Sequence, residues 1–399
     1  LPMRQNKGKF LIAGILVAAL FSLTYFSAPL FSLEYETAPA AALTGAEEAI
    51  DASLPEPEPL FVVTHIPTPK AVKAIYMTSW VGGTKDLRER LVGIVDDTEV
   101  NAIVIDIKDY SGQIAFEVQD PLLREVGASE RRIPDIKEFI GYLHDKNIYV
   151  IGRISVFQDP VFAKKYPELA VQKESDKTVW KDYKGLSFVD VSAKEFWDYI
   201  VALGEESYAV GFDELNFDYI RFPSDGNMRD IYYPLSEKRI LEDPIAGKAS
   251  ALEDFFVYLH RKLSPTGVVL SADLFGMTMT NKDDLNIGQV LERAAPYFDF
   301  IAPMVYPSHY PKNFNGYDNP NKYPYEIIKF SMDKGVERLI AASSSPDKLR
   351  PWIQDFDYGG NYDIPEIQAQ KKAVYDAGLT SWMIWDPSNR YTVGALDKE

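Results

Sequence analysis

Gly211-Phe-Asp-Glu-Leu-Asn-Phe-Asp-Tyr-Ile-Arg-Phe-Pro223 reads as a β-strand that carries charge into an apolar setting. Asp213, Glu214, Asp218 and Arg221 are interleaved with Phe, Leu, Tyr and Ile, a mixture unlike that of a solvated loop. A period of two puts Glu214, Asn216, Asp218 and Ile220 on one face and Leu215, Phe217, Tyr219 and Arg221 on the other. Asn216 and Asp218 therefore point the same way, and Pro223 is expected to end the strand. A carboxylate near the C-terminal end of a buried parallel strand lies where α/β barrels and open sheets keep their chemistry. The alternative for the same residues is a structural ion pair between Asp218 and Arg221, since buried carboxylates are rare unless paired or in use.

Working outward, apolar β-type runs near 73–79, 101–108, 147–156, 213–222, 267–275, 298–306, 350–356 and 380–386 alternate with helical patterns. The helices are expected at 135–146, 192–208, 249–263, 287–295, 325–343 and 364–377, the second opened by a capping box, Ser192-x-x-Glu195. Eight strand-then-helix units over about 330 residues predict a (β/α)₈ barrel, with a doubly wound sheet as the runner-up. The segments 157–191, 224–248 and 307–324 are long, and all three follow strands, so they fall on the catalytic face and suit an extended substrate groove.

With 399 residues, 46% of them hydrophobic and 25% charged, the chain has ample length for one large core. A formal charge of -17 argues against a nucleic-acid partner, which needs a basic face, and suits neutral or cationic ligands better. The absence of cysteine excludes disulfides, thiolate metal sites and cysteine nucleophiles.

Arg4, Lys7 and Lys9 precede an uncharged, mostly apolar run from Phe10 to Phe26. This has the form of an export signal or a short membrane span, and an uncleaved anchor with its basic end inside is the favoured reading. Residues 34–69 hold seven acidic residues, no Lys or Arg, and a Pro-Glu-Pro-Glu-Pro segment at 55–59, which reads as an acidic disordered linker. The expected domains are thus an anchor or signal at 1–33, the linker at 34–69 and the barrel at 70–399, whose own charge is -13.

Acids recur at the predicted strand ends: Asp106 and Asp109, Asp218, Asp273, Asp355 and Asp386. Glycosidic bond cleavage needs two carboxyl groups, one protonated to assist the leaving oxygen and one ionised to attack or to activate water. Neighbouring acids make that split possible because each raises the other's pKa. Taken singly, any of these acids is more readily a strand-end cap or a barrel salt bridge. Aromatic residues share the same places, with Trp80, Trp352, Trp382 and Trp385 in or just after strands, Trp180 in the long connection after the third strand, and Tyr306, Tyr310 and Tyr317 after strand six. Such faces suit sugar rings, although alternation assigns Trp382 to the core and turns Met383 and Trp385 inward. Four histidines, of which only His309 lies near the predicted rim, do not support a multi-histidine zinc site. Calcium held by rim carboxylates is conceivable but is not assigned. The motifs of esterases, dinucleotide-binding enzymes and phosphate loops are absent.

Phe212-Asp-Glu-Leu-x-Phe-Asp-Tyr-Ile-Arg-Phe-Pro223 resembles the signature strand of a bacterial family of glycoside hydrolase domains known mainly from genome sequences. Similar to that family, in order, are Ile105-Asp-Ile-Lys-Asp109, Gly152-Arg-Ile154, Phe157-x-Asp-Pro160, Ser271-Ala-Asp-Leu-Phe-Gly276, Ile287-Gly-Gln289, Pro303-Met-Val-Tyr-Pro-Ser-His-Tyr310, Arg350-Pro-Trp-Ile-Gln-Asp-Phe356 and Trp385-x-Pro-Ser-Asn389. They span about 75–391. Asp386 stands where the family leads one to expect Asn, and Leu215 replaces the commoner Ile. The resemblance implies a TIM barrel with a carbohydrate-active site; no organic cofactor is expected. By analogy with retaining glycosidase barrels that carry an acidic nucleophile at the end of strand four, Asp218 is assigned as nucleophile or general base and Asp273 as its acid/base partner. Asp106, Arg221, Tyr306 and His309 are expected to position the sugar, and Trp352 and Trp385 to wall it. Lys108, Asp109, Asn216, Tyr310, Gln354, Asp355 and Asp386 complete the expected substrate-binding set.

The reading is a membrane-anchored, extracytoplasmic, monomeric hydrolase of an extracellular or cell-envelope polysaccharide, with a carbohydrate substrate and no nucleic-acid partner. Two other classes stay open: a glycan-binding barrel without turnover, and a protein-interaction scaffold, which a large apolar rim patch would favour.

Overall fold

The computed structural model describes residues 62–398. The expected anchor and most of the expected linker lie outside the described residues, and among the described residues no helix is long and apolar enough to cross a membrane. All eight predicted strands form: β1 Lys73–Met77, β2 Ala102–Lys108, β3 Tyr149–Ser155, β4 Glu214–Asp218, β5 Val269–Phe275, β6 Phe300–Met304, β7 Trp352–Gln354 and β8 Trp382–Trp385. They pair in parallel, in sequence order, and β8 closes on β1, so the architecture is the (β/α)₈ barrel.

Each strand is buried on both faces, and alternation sorts the side chains into two cores. Ile103, Ile105, Leu215, Phe217, Leu270 and Ile301 point outward against the helices, while Ala74, Tyr76, Val104, Tyr149, Ile151 and Met383 fill the barrel. Trp382 is outward and Met383 and Trp385 are inward, as alternation required. The surrounding helices include Lys85–Asp97, Ile136–Asp145, Lys194–Val210, Gly247–Leu263, Pro324–Ala341 and Ile364–Asp376. In Lys194–Val210, Phe196, Trp197, Ile200, Val201 and Leu203 recur at helical spacing and are buried.

Three local expectations are corrected. The capping box at Ser192 does not form, because Ala193 is the N-cap residue and the Ser192 hydroxyl accepts from Ser236 Oγ instead. Helix 287–295 shrinks to Leu291–Ala294, since Gln289 is drawn into the barrel rim. Strand β4 stops at Asp218 rather than at Pro223: Tyr219 has φ +51°, a left-handed conformation that breaks the alternation.

The end of the barrel away from the strand C-termini is closed by charge as well as by packing. Arg350 grips Glu214 through two bonds of 2.8 and 2.9 Å inside the barrel, and Tyr149 and Thr68 extend that layer. Residues 64–68, read from sequence as the end of the linker, are bonded to the barrel: Ile66 N donates to Asp213, which also engages His144.

Glu99 ties the two ends of the barrel chain together. It accepts from Lys73 of β1, from Lys371 of helix Ile364–Asp376 and from the Asp397 backbone N–H. Burial opposes its charge, yet these donors hold its pKa down to about 2. A carboxylate so depressed contributes stability that is complete above its ordinary pKa near 4.5 and is lost as pH falls toward 2. Glu99→Gln, which leaves the buried Lys371 with only the exposed Asp397 carboxylate at 3.4 Å, is expected to lower unfolding free energy at pH 7 by roughly 3 kcal/mol in denaturant titration. The difference from the parent should vanish as pH falls through that window.

Candidate active site

The C-terminal ends of the strands converge on one guanidinium. Arg153, inward on β3, donates from Nη1 to Asp106 of β2 at 2.7 Å and from Nη2 and Nε to Asp218 of β4 at 2.5 and 3.2 Å. Its Nε also stands 3.9 Å from Asp273 Oδ2 on β5. All four side chains are buried. Burial works against the charge of Arg153, but Asp218 and Asp106 hold its pKa well above the usual value. Burial raises Asp106, with Arg153 and the donating Tyr76 hydroxyl opposing the shift.

Asp273 differs from Asp218 in its surroundings. Its Oδ1 accepts from Asn216 Nδ2 at 2.9 Å and from Trp352 Nε1 at 2.8 Å, whereas its Oδ2 has no hydrogen-bond partner among the described residues. Burial, and then the charge of Asp218, push its pKa well above the carboxylate range. A proton on this group therefore belongs on Oδ2, the oxygen free to donate. The common distances to Arg153 Nε place Asp218 Oδ2 and Asp273 Oδ2 within about 7.1 Å of one another. Asp218 Oδ1 accepts from the Tyr219 backbone N–H at 2.6 Å, in the strained turn that ends β4.

Both acids line a cavity of about 420 Å³ with Tyr306, His309, Trp385 and Arg221. A second cavity of about 370 Å³ shares Lys184, Tyr219 and Arg221 with it, and a third of about 800 Å³ shares Lys184, Tyr306, His309 and Trp385. The three join into a groove that crosses the rim with the acids near its middle. Its walls come from the three long connections expected to build it and from the segment after β7, where Phe356 and Tyr358 were not foreseen. Close approach at the floor requires glycine at 276: a Cβ there would lie 2.5 Å from Met304 O and 2.6 Å from the Tyr310 hydroxyl. Gln289 braces the same rim, accepting from Phe275 N and donating to the carbonyls of Ile220 and Asp273.

The structure brings Asp106, Asp218, Asp273, Arg221, Tyr306, His309, Tyr310 and Trp385 to this cavity or its floor, and Asp355 and Asp386 to the adjoining one. Burial pushes the Asp355 carboxyl up to about 6. Burial and the charge of Lys184 push the His309 pKa down, so its imidazole is neutral at pH 7. The other expected contacts are corrected. A register shift between Asp106 and Lys108 turns Lys108 outward, level with Ile154, where it forms a fully buried ion pair with Asp159 at 2.8 Å. Asp109 pairs with Arg132 and accepts from Ser111, away from the groove. Asn216 and Trp352 support Asp273 from below, and Trp352, 1% exposed, cannot wall a sugar. Gln354 is fully buried and accepts from Ser308, so it holds the loop that carries His309. Trp180, also buried, donates to Asn227 O beneath the loops, and Trp80 lies under Arg132. Asp218 does not pair with Arg221.

Arg153 is the residue that sequence reasoning missed. An arginine on the inward parity of the otherwise apolar strand Tyr149–Ser155 signals carboxylates on neighbouring strands, because burying a cation without them is costly. Tyr76, stacked on Trp385 at 3.9 Å and bonded to Asp106, and Lys184, common to the three cavities, were also missed.

No curated protein matches this chain. Among solved structures, the glycoside hydrolase domain of PgaB (BpsB) from Bordetella bronchiseptica is 14% identical, covers 82% of this chain and 99% of its own, and superposes with a TM-score of 0.59, a likeness of fold. A hypothetical protein from Ruminiclostridium thermocellum ATCC 27405 is 35% identical over 50% of this chain and 96% of its own, with a TM-score of 0.44. The glycoside hydrolase domain of PelA from Pseudomonas aeruginosa is 12% identical over 81% and 97%, with a TM-score of 0.43. A family model described as "Putative glycosyl hydrolase domain" matches residues 74–391, from β1 through the loop after β8, so the chain belongs to that glycosyl hydrolase domain family.

Proposed function

We propose that the barrel hydrolyses glycosidic bonds of a polysaccharide, with Asp273 as general acid and Asp218 as nucleophile or general base. The observation that carries this reading is the unequal setting of two carboxyl groups on one cavity: Asp218 bonded to a guanidinium, Asp273 buried beside it with its own cation contact only at 3.9 Å. In the proposed step Asp273 Oδ2–H gives its proton to the glycosidic oxygen as the bond from that oxygen to the anomeric carbon breaks. The electron-poor anomeric carbon is then met by the Asp218 carboxylate, or by a water whose proton Asp218 takes. Arg153 holds Asp218 in place through two hydrogen bonds. Trp385, held by Tyr76, offers a partly exposed face for a sugar ring, and a groove open on both sides of the acids suits a chain that continues past the cleavage point. The basic, then apolar, N-terminal segment supports a barrel held at the membrane and acting outside the cytoplasm on extracellular or envelope glycan.

One observation favours the reading of a binding protein without turnover: both oxygens of Asp218 are already engaged, Oδ1 by Tyr219 N and Oδ2 by Arg153. Release of reducing ends by the full-length protein from α- and β-linked polysaccharides separates the two. Asp218→Asn and Asp273→Asn are each expected to lower kcat by about 10² to 10⁴ while the melting transition is retained. Binding of a glycan with equal affinity by parent and variants, and no cleavage of any, would make the barrel a binder.

The electrostatics add a pH dependence. Because burial and the charge of Asp218 raise the Asp273 pKa, kcat/KM is expected to fall as pH rises through that raised value. Carboxyl ¹³C NMR should find Asp273 protonated at pH 7, with its titration moving to lower pH in Asp218→Asn, which removes the neighbouring charge. An Asp273 signal titrating in the ordinary carboxylate range in the parent would end its assignment as the acid.

A further inference from the structure

Arg221 is a buried cation without an ion pair among the described residues. It is 8% exposed and lines the cavity beside Asp218, yet no carboxylate among the described residues stands within salt-bridge distance. Its Nη1 donates to Ser224 Oγ at 2.9 Å and to Phe222 O at 3.3 Å, which fixes one corner of the guanidinium. The rings of Tyr219 and Phe275, each 4.8 Å from its central carbon, hold the plane from two sides. The Nε and Nη2 atoms make no hydrogen bond among the described residues. Asp218, Asp182 and Asp225 act on Arg221 only from beyond contact distance, and burial lowers its pKa. Two of these acids are committed elsewhere: Asp218 to Arg153, and Asp182 to the backbone N–H groups of Lys184 and Leu186.

Lys184 is the second cation at the same place. It is exposed, has no ion-pair partner among the described residues and borders all three cavities. A pre-ordered guanidinium with its Nε–Nη2 edge unused presents the two parallel donors that a carboxylate accepts, whereas a neutral hydroxyl would leave the buried charge unmatched.

We propose that the sugar seated beside the catalytic pair carries a carboxylate, received by the Nε–Nη2 edge of Arg221 with Lys184 as the outer cation, so that the substrate is a uronic-acid polysaccharide. This rests on the hydrolase reading for the location of the subsite and departs from the preference for neutral or cationic ligands that net charge suggests. The overall charge describes the whole surface, while the groove places Arg153, Arg221 and Lys184 together.

The test is retention of matched oligosaccharides by the full-length protein, measured by calorimetry or affinity electrophoresis. The probes are oligogalacturonate and oligoalginate, their carboxyl-reduced neutral counterparts, and a sulfated chain of similar length that lacks uronate. The parent is expected to bind at least one uronate chain about tenfold or more tightly than its reduced form. Arg221→Met should abolish that preference and Arg221→Lys should keep part of it. Lys184→Gln, at an exposed position, should weaken uronate binding a few-fold without touching the fold. Melting curves identify any Arg221 variant that fails to fold, in which case Lys184→Gln and the salt dependence of the parent carry the test. Equal binding of acid and reduced chains by the parent, or an acid preference unchanged in a folded Arg221→Met, overturns the proposal, as does tighter binding of the sulfated chain. Acid-selective binding without cleavage would remove the hydrolase reading and leave this one standing. Cleavage of neutral chains with no acid preference would do the reverse.

Discussion

A single guanidinium placed where water cannot solvate it organises the top of this barrel. Arg153 lies inside the ring of strands with Asp106 and Asp218 directly bonded to it and Asp273 near. One cation at low local dielectric offsets burial least for the carboxyl group with the weakest hold on it, and the pKa of that group is pushed furthest up. That group is Asp273, whose other oxygen is fastened from below by Asn216 and Trp352. The acid and the base of the proposed reaction are thus distinguished by geometry around one arginine, since the two side chains are chemically identical.

The barrel supplies the rigidity this requires. Four strands deliver Asp106, Arg153, Asp218 and Asp273 in neighbouring positions, and the ladder fixes their heights: Asp106 is level with Arg153, and Ser155 with Asp218. A separate polar layer lower in the barrel, built on Glu214 and Arg350, neutralises itself and takes no part in the groove. The bulge in β2 turns Lys108 out of the interior, where it pairs with Asp159, and leaves Arg153 as the cation bonded to Asp106 and Asp218. Gly152 makes room for this arrangement, because a Cβ there would lie 2.2 Å from the side chain of Ile107, the outward residue next to the bulge.

Charge is distributed unevenly between surface and site. A chain of net charge -17 nevertheless gathers Arg153, Arg221 and Lys184 around its central cavity. Arg153 is neutralised by its neighbours, whereas Arg221 is braced by aromatic rings, a hydroxyl and a carbonyl, none of which carries charge. Aromatic side chains border the rest of the groove, with Trp385 between the central and the largest cavity. The arrangement pairs one site for anions with extended faces for rings, a combination suited to a charged sugar within a longer chain.

The number and order of strands, the inward set on β4 and the convergence of Asp218 and Asp273 were all legible in the sequence, because alternation and burial are local consequences of residue type. The partners of those residues were not. Whether Asp218 bonds Arg221 or Arg153 depends on a left-handed Tyr219 that swings Arg221 away and on the strand next door, 65 residues earlier, that carries Arg153. Lys108 was misplaced because a one-residue register shift reverses every later side chain without altering the hydrophobic pattern. Trp352 was taken for a wall since its indole N–H, which makes it the floor under Asp273, has no sequence signature. Residue types and their period determined which groups enter the barrel; pairing across strands decided which of them bond one another, which has its pKa pushed up and which face the groove.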